Sequence, residues 1–365
     1  MKKILIIIFM FLISIANSFA QNESTILPTI RGTVQTVIYA DVEPEIAQQK
    51  QIADIKITTN DLKGNLIQVE NLITGNPYYD ITLKKGMNVI LHVEEVDNEL
   101  SFSIESIHRS NVLIFLSLLF CGLLIYVGRN KGLFSFISII LTCILIFNFL
   151  SPMILFGINP IIATLIICLL STMLTIYLVG GFNKKSTSAT LGCILSIILA
   201  GIMALIISKI AYLTGFNDEY SMFLYASKPQ LNFVLISVST IILATLGAVM
   251  DVAMSIASTI NEIYTVDNSK TIKELYTCGM NVGKDIIGTM ANTLILVYLG
   301  SSLPLLLLST SIDLQKFFNL NQVVTEIASA LIGSCAIVIC VPLTALIASN
   351  LIKTKKKSTD FNYEE

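Results

Sequence analysis

The chain has 365 residues, 54% of them hydrophobic and 13% charged, with no Trp and a mean hydropathy of +0.78. A soluble domain cannot bury that much apolar surface, so most of the chain needs lipid as its solvent. The formal net charge of −2 decides nothing about nucleic acid, but no basic cluster interleaved with aromatics occurs and no nucleic-acid partner is expected.

Residues 1–20, MKKILIIIFMFLISIANSFA, place Lys2 and Lys3 before an apolar core that closes on Ser18-Phe19-Ala20. This is the layout of a secretory signal peptide with a small-residue cleavage site, and its short core favours cleavage over an uncleaved anchor. On either reading the segment after Gln21 is exported. No Cys follows Ala20 directly, which argues against a lipoprotein anchor. All seven Cys lie beyond position 110, so the exported segment has no disulfide framework. His92 and His108 stand without metal-ligand spacing, so neither a metal nor a cofactor is expected.

Residues 21–107 read as an extracytoplasmic β-rich domain. Short alternating runs (RGTVQTVIY, IADIKITTNDLKGNLIQVEN, MNVILHVEEV and ELSFSIES) are separated by Asn60-Asp61, Lys63-Gly64, Lys85-Gly86 and Asp97-Asn98. In the last run Leu100, Phe102 and Ile104 alternate with Ser101, Ser103 and Glu105, the period of a half-buried strand. Several short strands in this length predict a small barrel or sandwich. No nucleophile–base pair or phosphate cradle is visible in it, so it reads as a docking module for an extracytoplasmic protein or ligand.

Residues 108–353 form a polytopic α-helical membrane domain of about seven transmembrane helices, followed by a tail, 354–365. Spans are expected near 111–128, 132–152, 159–180, 187–210, 231–254, 286–309 and 326–350, each about long enough to cross a bilayer. With the β domain outside, Arg129, Lys131, Lys184, Lys185, Lys270, Lys273, Lys284, Lys353, Lys355, Lys356 and Lys357 all fall inside. The outside loops keep only Lys228 and Lys316, beside Asp218, Glu219 and Asp313, as the positive-inside rule requires. The expected location is a bacterial cytoplasmic membrane, with the C-terminus in the cytoplasm.

Span five ends in GAVMDVAMSIASTINEIY, where Asp251, Ser255, Ser258 and Glu262 follow at steps of four, three and four along one helical face. Asp251 falls in the cytoplasmic third of the span, where a carboxylate left in lipid costs roughly 2.5–3.5 kcal/mol. Span six enters through GMNVGKDIIGTMANTL, where Asn281, Asp285, Gly288 and Asn292 repeat those steps beside Thr289. Gly279 and Gly283 form a small-xxx-small pair that lets another helix approach closely. The two stripes predict a polar or ion site, facing one another or a shared hydrated cavity inside the bundle, with Asp251 shielded from lipid. The intervening NEIYTVDNSKTIKELYTC predicts a short amphipathic interfacial helix.

The runs GAVMDVAMSIASTINEI and GMNVGKDIIGTMANTLILVYLG resemble the YibE/F family of bacterial multi-spanning membrane proteins, over roughly residues 130–350. The resemblance implies an exported β-rich domain on a polytopic membrane domain. It brings no established activity, and the stripe residues rest on their chemistry alone.

Three classes of function fit. Intramembrane carboxylates on adjacent spans, with Pro304 and Pro342 as helix breakers, favour a transporter or ion-coupled membrane machine. The exported module and the lack of a reaction motif fit a non-catalytic anchor or relay. An intramembrane aspartyl protease would pair Asp251 with Asp285, but its GxGD signature is missing: Val282 and Lys284 stand where glycines belong. No HExxH, GxSxG or P-loop spacing occurs, so the chain is not expected to be an enzyme.

Overall fold

The computed structural model describes residues 30–40, 47–59, 62–96 and 99–353. The expected leader, the tail 354–365 and the turns at Asn60-Asp61 and Asp97-Asn98 lie outside the described residues. Two compact units emerge, one ending at Tyr126 and one beginning at Val127.

The first unit carries five strands: β1 (Ile30–Ala40), β2 (Gln49–Ile57), β3 (Leu66–Ile73), β4 (Asn88–Val96) and β5 (Glu99–Ile107). They form one antiparallel sheet in the order β3-β2-β1-β4-β5. The first residues of β1 pair with β4, Ile30 opposite Leu91, and from Gly32 the strand also pairs with β2. A register shift between Val34 and Thr36 lets β1 bend between its neighbours. Edge strands β3 and β5 touch, giving a five-stranded, partly open barrel. Alternation explains the burial: Ile30, Gly32 and Val34 point inward, while Arg31 and Thr33 point outward. Val34, Ile55, Ile57, Val69, Leu83, Val89 and Leu91 fill the interior. Gly32 must be glycine, because a Cβ there would run into the Ile55 side chain.

One inward position of β2 is polar. Gln51 is fully buried, and its Oε1 accepts from the Leu83 backbone N–H at 2.9 Å and from Asn71 Nδ2 at 3.0 Å. The amide thereby pins the segment after β3 to the barrel. Upstream, the Asp80 carboxylate accepts from the Thr74 backbone N–H at 2.8 Å, the Thr74 hydroxyl at 2.9 Å and the Gly75 N–H at 2.7 Å. The Thr74 and Gly75 hydrogen bonds hold its pKa below the usual carboxylate range. Tyr78 and Tyr79 project from this loop, both strongly exposed.

The helical elements are α1 (Ser110–Leu145), a π-turn (Ile146–Leu150), α2 (Ser151–Leu155), α3 (Pro160–Gly180), α4 (Lys184–Ile210) and α5 (Glu219–Ser227). They continue with α6 (Phe233–Val266), α7 (Ile272–Ser301), α8 (Leu303–Leu308), α9 (Leu314–Phe317) and α10 (Asn321–Lys353). Among the described residues, six helices are long and apolar enough to cross a membrane. The first runs for 46 residues from Ser110 to Leu155, long enough for both of the first two expected spans. Its backbone breaks at Arg129, with φ 49° and ψ −129°, in the short basic stretch expected between them. The chain is therefore an α-helical multi-span protein with an N-terminal β-rich domain.

Two local expectations are corrected. The 261–278 stretch is not a separate interfacial helix: α6 and α7 both extend through it and meet at the turn 267–271. The turn is built from strong local signals. Asp267 accepts from the Ser269 N–H at 3.0 Å, and Thr271 and Glu274 form a reciprocal capping box that starts α7. The Ser269 hydrogen bonds hold the Asp267 carboxyl below its usual range. The expected span 286–309 is likewise two helices, since α7 ends at Ser301 and Pro304 sits in the first turn of α8. Pro342, in contrast, lies inside an unbroken α10.

Small residues let the helices of the second unit close up. A Cβ on Gly192 of α4 would collide with Thr344 of α10, and one on Gly283 of α7 with Val341 of α10. Gly279 meets both Ile260 of α6 and Ala345 of α10, so the small-xxx-small pair serves the close approach its spacing predicts. Three buried hydroxyls are satisfied within their own helices: Thr172 donates to Cys168 O, Ser196 to Gly192 O and Thr245 to Ile241 O, each at 2.7 Å. Thr142 and Ser171 are joined across α1 and α3 at 2.9 Å.

Gln51→Leu should orphan the buried Leu83 N–H at a cost of about 1–3 kcal/mol. Hydrogen exchange on the whole protein should then speed up at Leu83 and leave the helical amides unchanged; an unaltered Leu83 rate would contradict this role. Gly283→Val should overpack the seam against Val341 by about 1–3 kcal/mol. Gly122→Val, with nothing within 4 Å of its Cβ, should leave the fold intact. Thermal denaturation of the two purified variants separates these outcomes.

Candidate functional site

The stripe residues were expected inside the bundle, and they are not there. Asp251, Ser255, Glu262, Asn281, Asp285, Thr289 and Asn292 are exposed on the chain's surface, and Ser258 is half-buried. The shared internal cavity, with Asp251 shielded from lipid by this chain, is therefore corrected. The reason is that each helix has one apolar face and spends it inward. On α6, Val252, Ala253, Ile256, Ala257 and Ile260 are buried against the bundle, and the steps of three and four carry the polar residues to the opposite side. On α7, Leu275, Gly279 and Gly283 take the inward positions. Among the described residues, no hydrogen bond or ion pair links one stripe to the other.

Contacts fix the depth of the stripes. The turn 267–271 makes α6 and α7 the arms of a hairpin, and the Ile260–Gly279 contact sets their register. Counting along both arms from that contact puts Asp251 level with Gly288, Ser255 with Lys284, Ser258 with Asn281, and Glu262 with Thr277. Gly247 falls level with Asn292, and Asp285 with Met254. Met254 in turn packs against Gly180, the last residue of α3. Asp251 thus lies about 4.5 Å, three helical residues, deeper than the end of that span.

The polar face of α6 is longer than its carboxylates suggest. Thr240, Ala244 and Gly247 continue it at the same steps, all exposed. From Phe233 to Thr265 no large apolar side chain is exposed. Neighbouring helices differ: α3 exposes Ile162 and Ile166, α4 exposes Leu191 and Leu195, and α10 exposes Leu331 and Leu346. The periodicity that flagged Asp251 reaches Thr240 as well, and extending it would have found these positions.

Helix α7 carries the sharper mismatch. Its most apolar stretch has a mean hydropathy of 1.3, against 2.4–2.7 for the other five long helices, and only 6% of that stretch is buried within the chain. The corresponding shares for α6 and α10 are 50% and 56%. The most polar long helix is the one its own chain shelters least.

A second feature escaped the sequence reading. A cavity of about 340 Å³ lies where α7, α8, α9 and α10 meet, lined by Tyr298, Leu305, Phe317, Phe318, Val323 and Leu331, with Glu326 as its carboxylate. It does not include any stripe residue. A lone Glu one turn into the last span gives no periodic signal, so only packing reveals it.

No curated protein and no solved structure matches the chain. A family model described as YibE/F-like protein matches residues 116–354, nearly the whole helical part and about two thirds of the sequence. The chain is thus an integral membrane protein that belongs to the YibE/F-like family.

Proposed function

We propose that the protein is an ion-coupled membrane machine or transporter in which Asp251 and Asp285 carry the exchangeable charge. The observation behind this reading is a pair of carboxylates on adjacent long helices, within about one turn of the same depth and without an ion-pair partner among the described residues. Ionisable groups at such depth are the usual markers of ion or proton pathways. The amide oxygens of Asn281 and Asn292 and the hydroxyls of Ser255, Ser258 and Thr289 are oxygen ligands that can hold a hard cation beside the carboxylates. The reading leaves no role for a proteolytic pair, which needs its two carboxylates side by side in a sheltered pocket. Orientation is part of the proposal: β unit outside and Lys353 inside, from the distribution of cations.

A relay reading has one observation in its favour. The β barrel is a separate unit, and it presents Tyr78 and Tyr79 as an exposed edge-to-face pair with ring centroids 4.8 Å apart. In that case the helices anchor a module that binds a partner outside.

Asp251→Asn and Asp285→Asn should insert and melt within about 0.5 kcal/mol of the natural protein, since neither carboxylate holds the fold together. Both should abolish cation-dependent flux in proteoliposomes, because the amide keeps the size and polarity but cannot ionise. Should both variants conduct like the natural protein, the ion-coupling reading falls, and the cargo found by metabolite profiling of a deletion strain must be explained otherwise. Reporter fusions at Lys184, Asn217 and Lys356 should read inside, outside and inside; an outside signal at Lys356 would reverse the proposed orientation of the last helix.

A further inference from the structure

We propose that the outward face of the α6–α7 hairpin is a homodimer interface, with α6 of one copy packed on α7 of the second across a two-fold axis along the membrane normal. The inference stands whether or not the protein moves ions.

The face cannot be left to lipid. Surfaces that meet hydrocarbon are large and apolar, as α3, α4 and α10 show, whereas α6 offers Thr240, Ala244, Gly247, Asp251 and Ser255. Small residues with hydroxyls and amides are the composition of a helix–helix contact within the bilayer, where close approach and interhelical hydrogen bonds replace the hydrophobic effect. Gly247 and Gly288 both have open space around their Cβ positions, so a neighbouring helix can come close at the levels of Asn292 and Asp251.

Charge spacing identifies the occupant as a second copy. The only charged side chains on α6 are Asp251 and Glu262, eleven residues apart and both exposed. On α7 the exposed lysines are Lys273 and Lys284, also eleven apart, and the exposed asparagines Asn281 and Asn292 repeat that interval. Eleven residues return to one helical face after three turns. None of these charges has an ion-pair partner within 4 Å among the described residues.

A two-fold axis along the membrane normal keeps every residue at its own depth. At the level of Asp251 the second copy presents Gly288, with Lys284 one turn toward the cytoplasm and Asn292 one turn outward. At the level of Glu262 it presents Thr277, with Lys273 one turn inward and Asn281 one turn outward. Both acids of α6 therefore meet the same lysine–small residue–asparagine pattern, twice in each direction across the axis, while the acids Glu274 and Asp285 follow each lysine by one residue and are turned about 100° from it round the helix. A single register satisfies all four acid–lysine pairs. Complementarity of this kind selects partner and register more than raw affinity.

The test uses full-length copies with two different tags, co-expressed and extracted in lipid nanodiscs. Natural copies should co-purify. Asp251→Lys copies should lose co-purification with one another by at least about tenfold, as should Lys284→Asp copies, because each self-pair opposes like charges. An Asp251→Lys copy mixed with a Lys284→Asp copy should recover it, since both contacts then pair opposite charges. Glu262→Lys with Lys273→Glu provides a second, cytoplasmic-end pair with the same expected pattern, and it decides the matter if Asp251→Lys fails to insert. Self-association of the charge-reversed copies at the natural level would overturn the proposal. So would natural copies that stay single, or a different membrane protein occupying the face in their place.

Discussion

Within hydrocarbon a polar group must find its partner in protein, and this constraint orders the whole helical unit. The seam where Gly192 of α4 lies on Thr344 of α10 meets it with small side chains, while the buried Thr172 and Ser196 hydroxyls turn back on their own helices. Helix α6 borders that seam and gives its apolar face to it. Once Val252, Ile256 and Ile260 are committed inward, a residue one or two positions out of phase has nowhere to go but the surface. The polar stripe is thus a by-product of good packing within the chain and a demand for something outside it.

Much of the fold was legible because the two periodicities are so different. Alternation found all five strands, β2 and β3 within one run broken at Asn60-Asp61 and Lys63-Gly64, and the apolar runs found each long helix to within a turn or two at most ends. Phe102 and Ile104 join the barrel core as their phase requires, although Leu100 at the strand's start remains exposed. The stripes were also readable, since spacing alone puts Asp251 and Ser255 on one face.

Direction was not legible. In a soluble protein the polar face of a helix turns outward by default, but in a membrane helix the same pattern can line a cavity, meet another subunit or emerge into water. Sequence gives the phase of the stripe and not the position of its neighbours; Gly279 on Ile260 and Gly283 on Val341 had to be seen before the outward face could be named. The missing interfacial helix has a related cause. Mixed charges at 267–274 looked like a surface-lying segment, yet they serve as turn and cap, with Asp267 bonded to Ser269 and Thr271 to Glu274. Gln51 escaped for the opposite reason: an amide in the inward row of a strand breaks the pattern, and only the Leu83 backbone beside it explains why it stays.

Lys353, the final residue of α10, donates from Nζ to the backbone carbonyl of Lys270 in the turn between α6 and α7. The last helix is therefore buttoned to the loop from which both stripes are hung. Cargo attached beyond position 353, whether a fusion, a modification or a bound regulator, pulls on a residue that also steadies the hairpin.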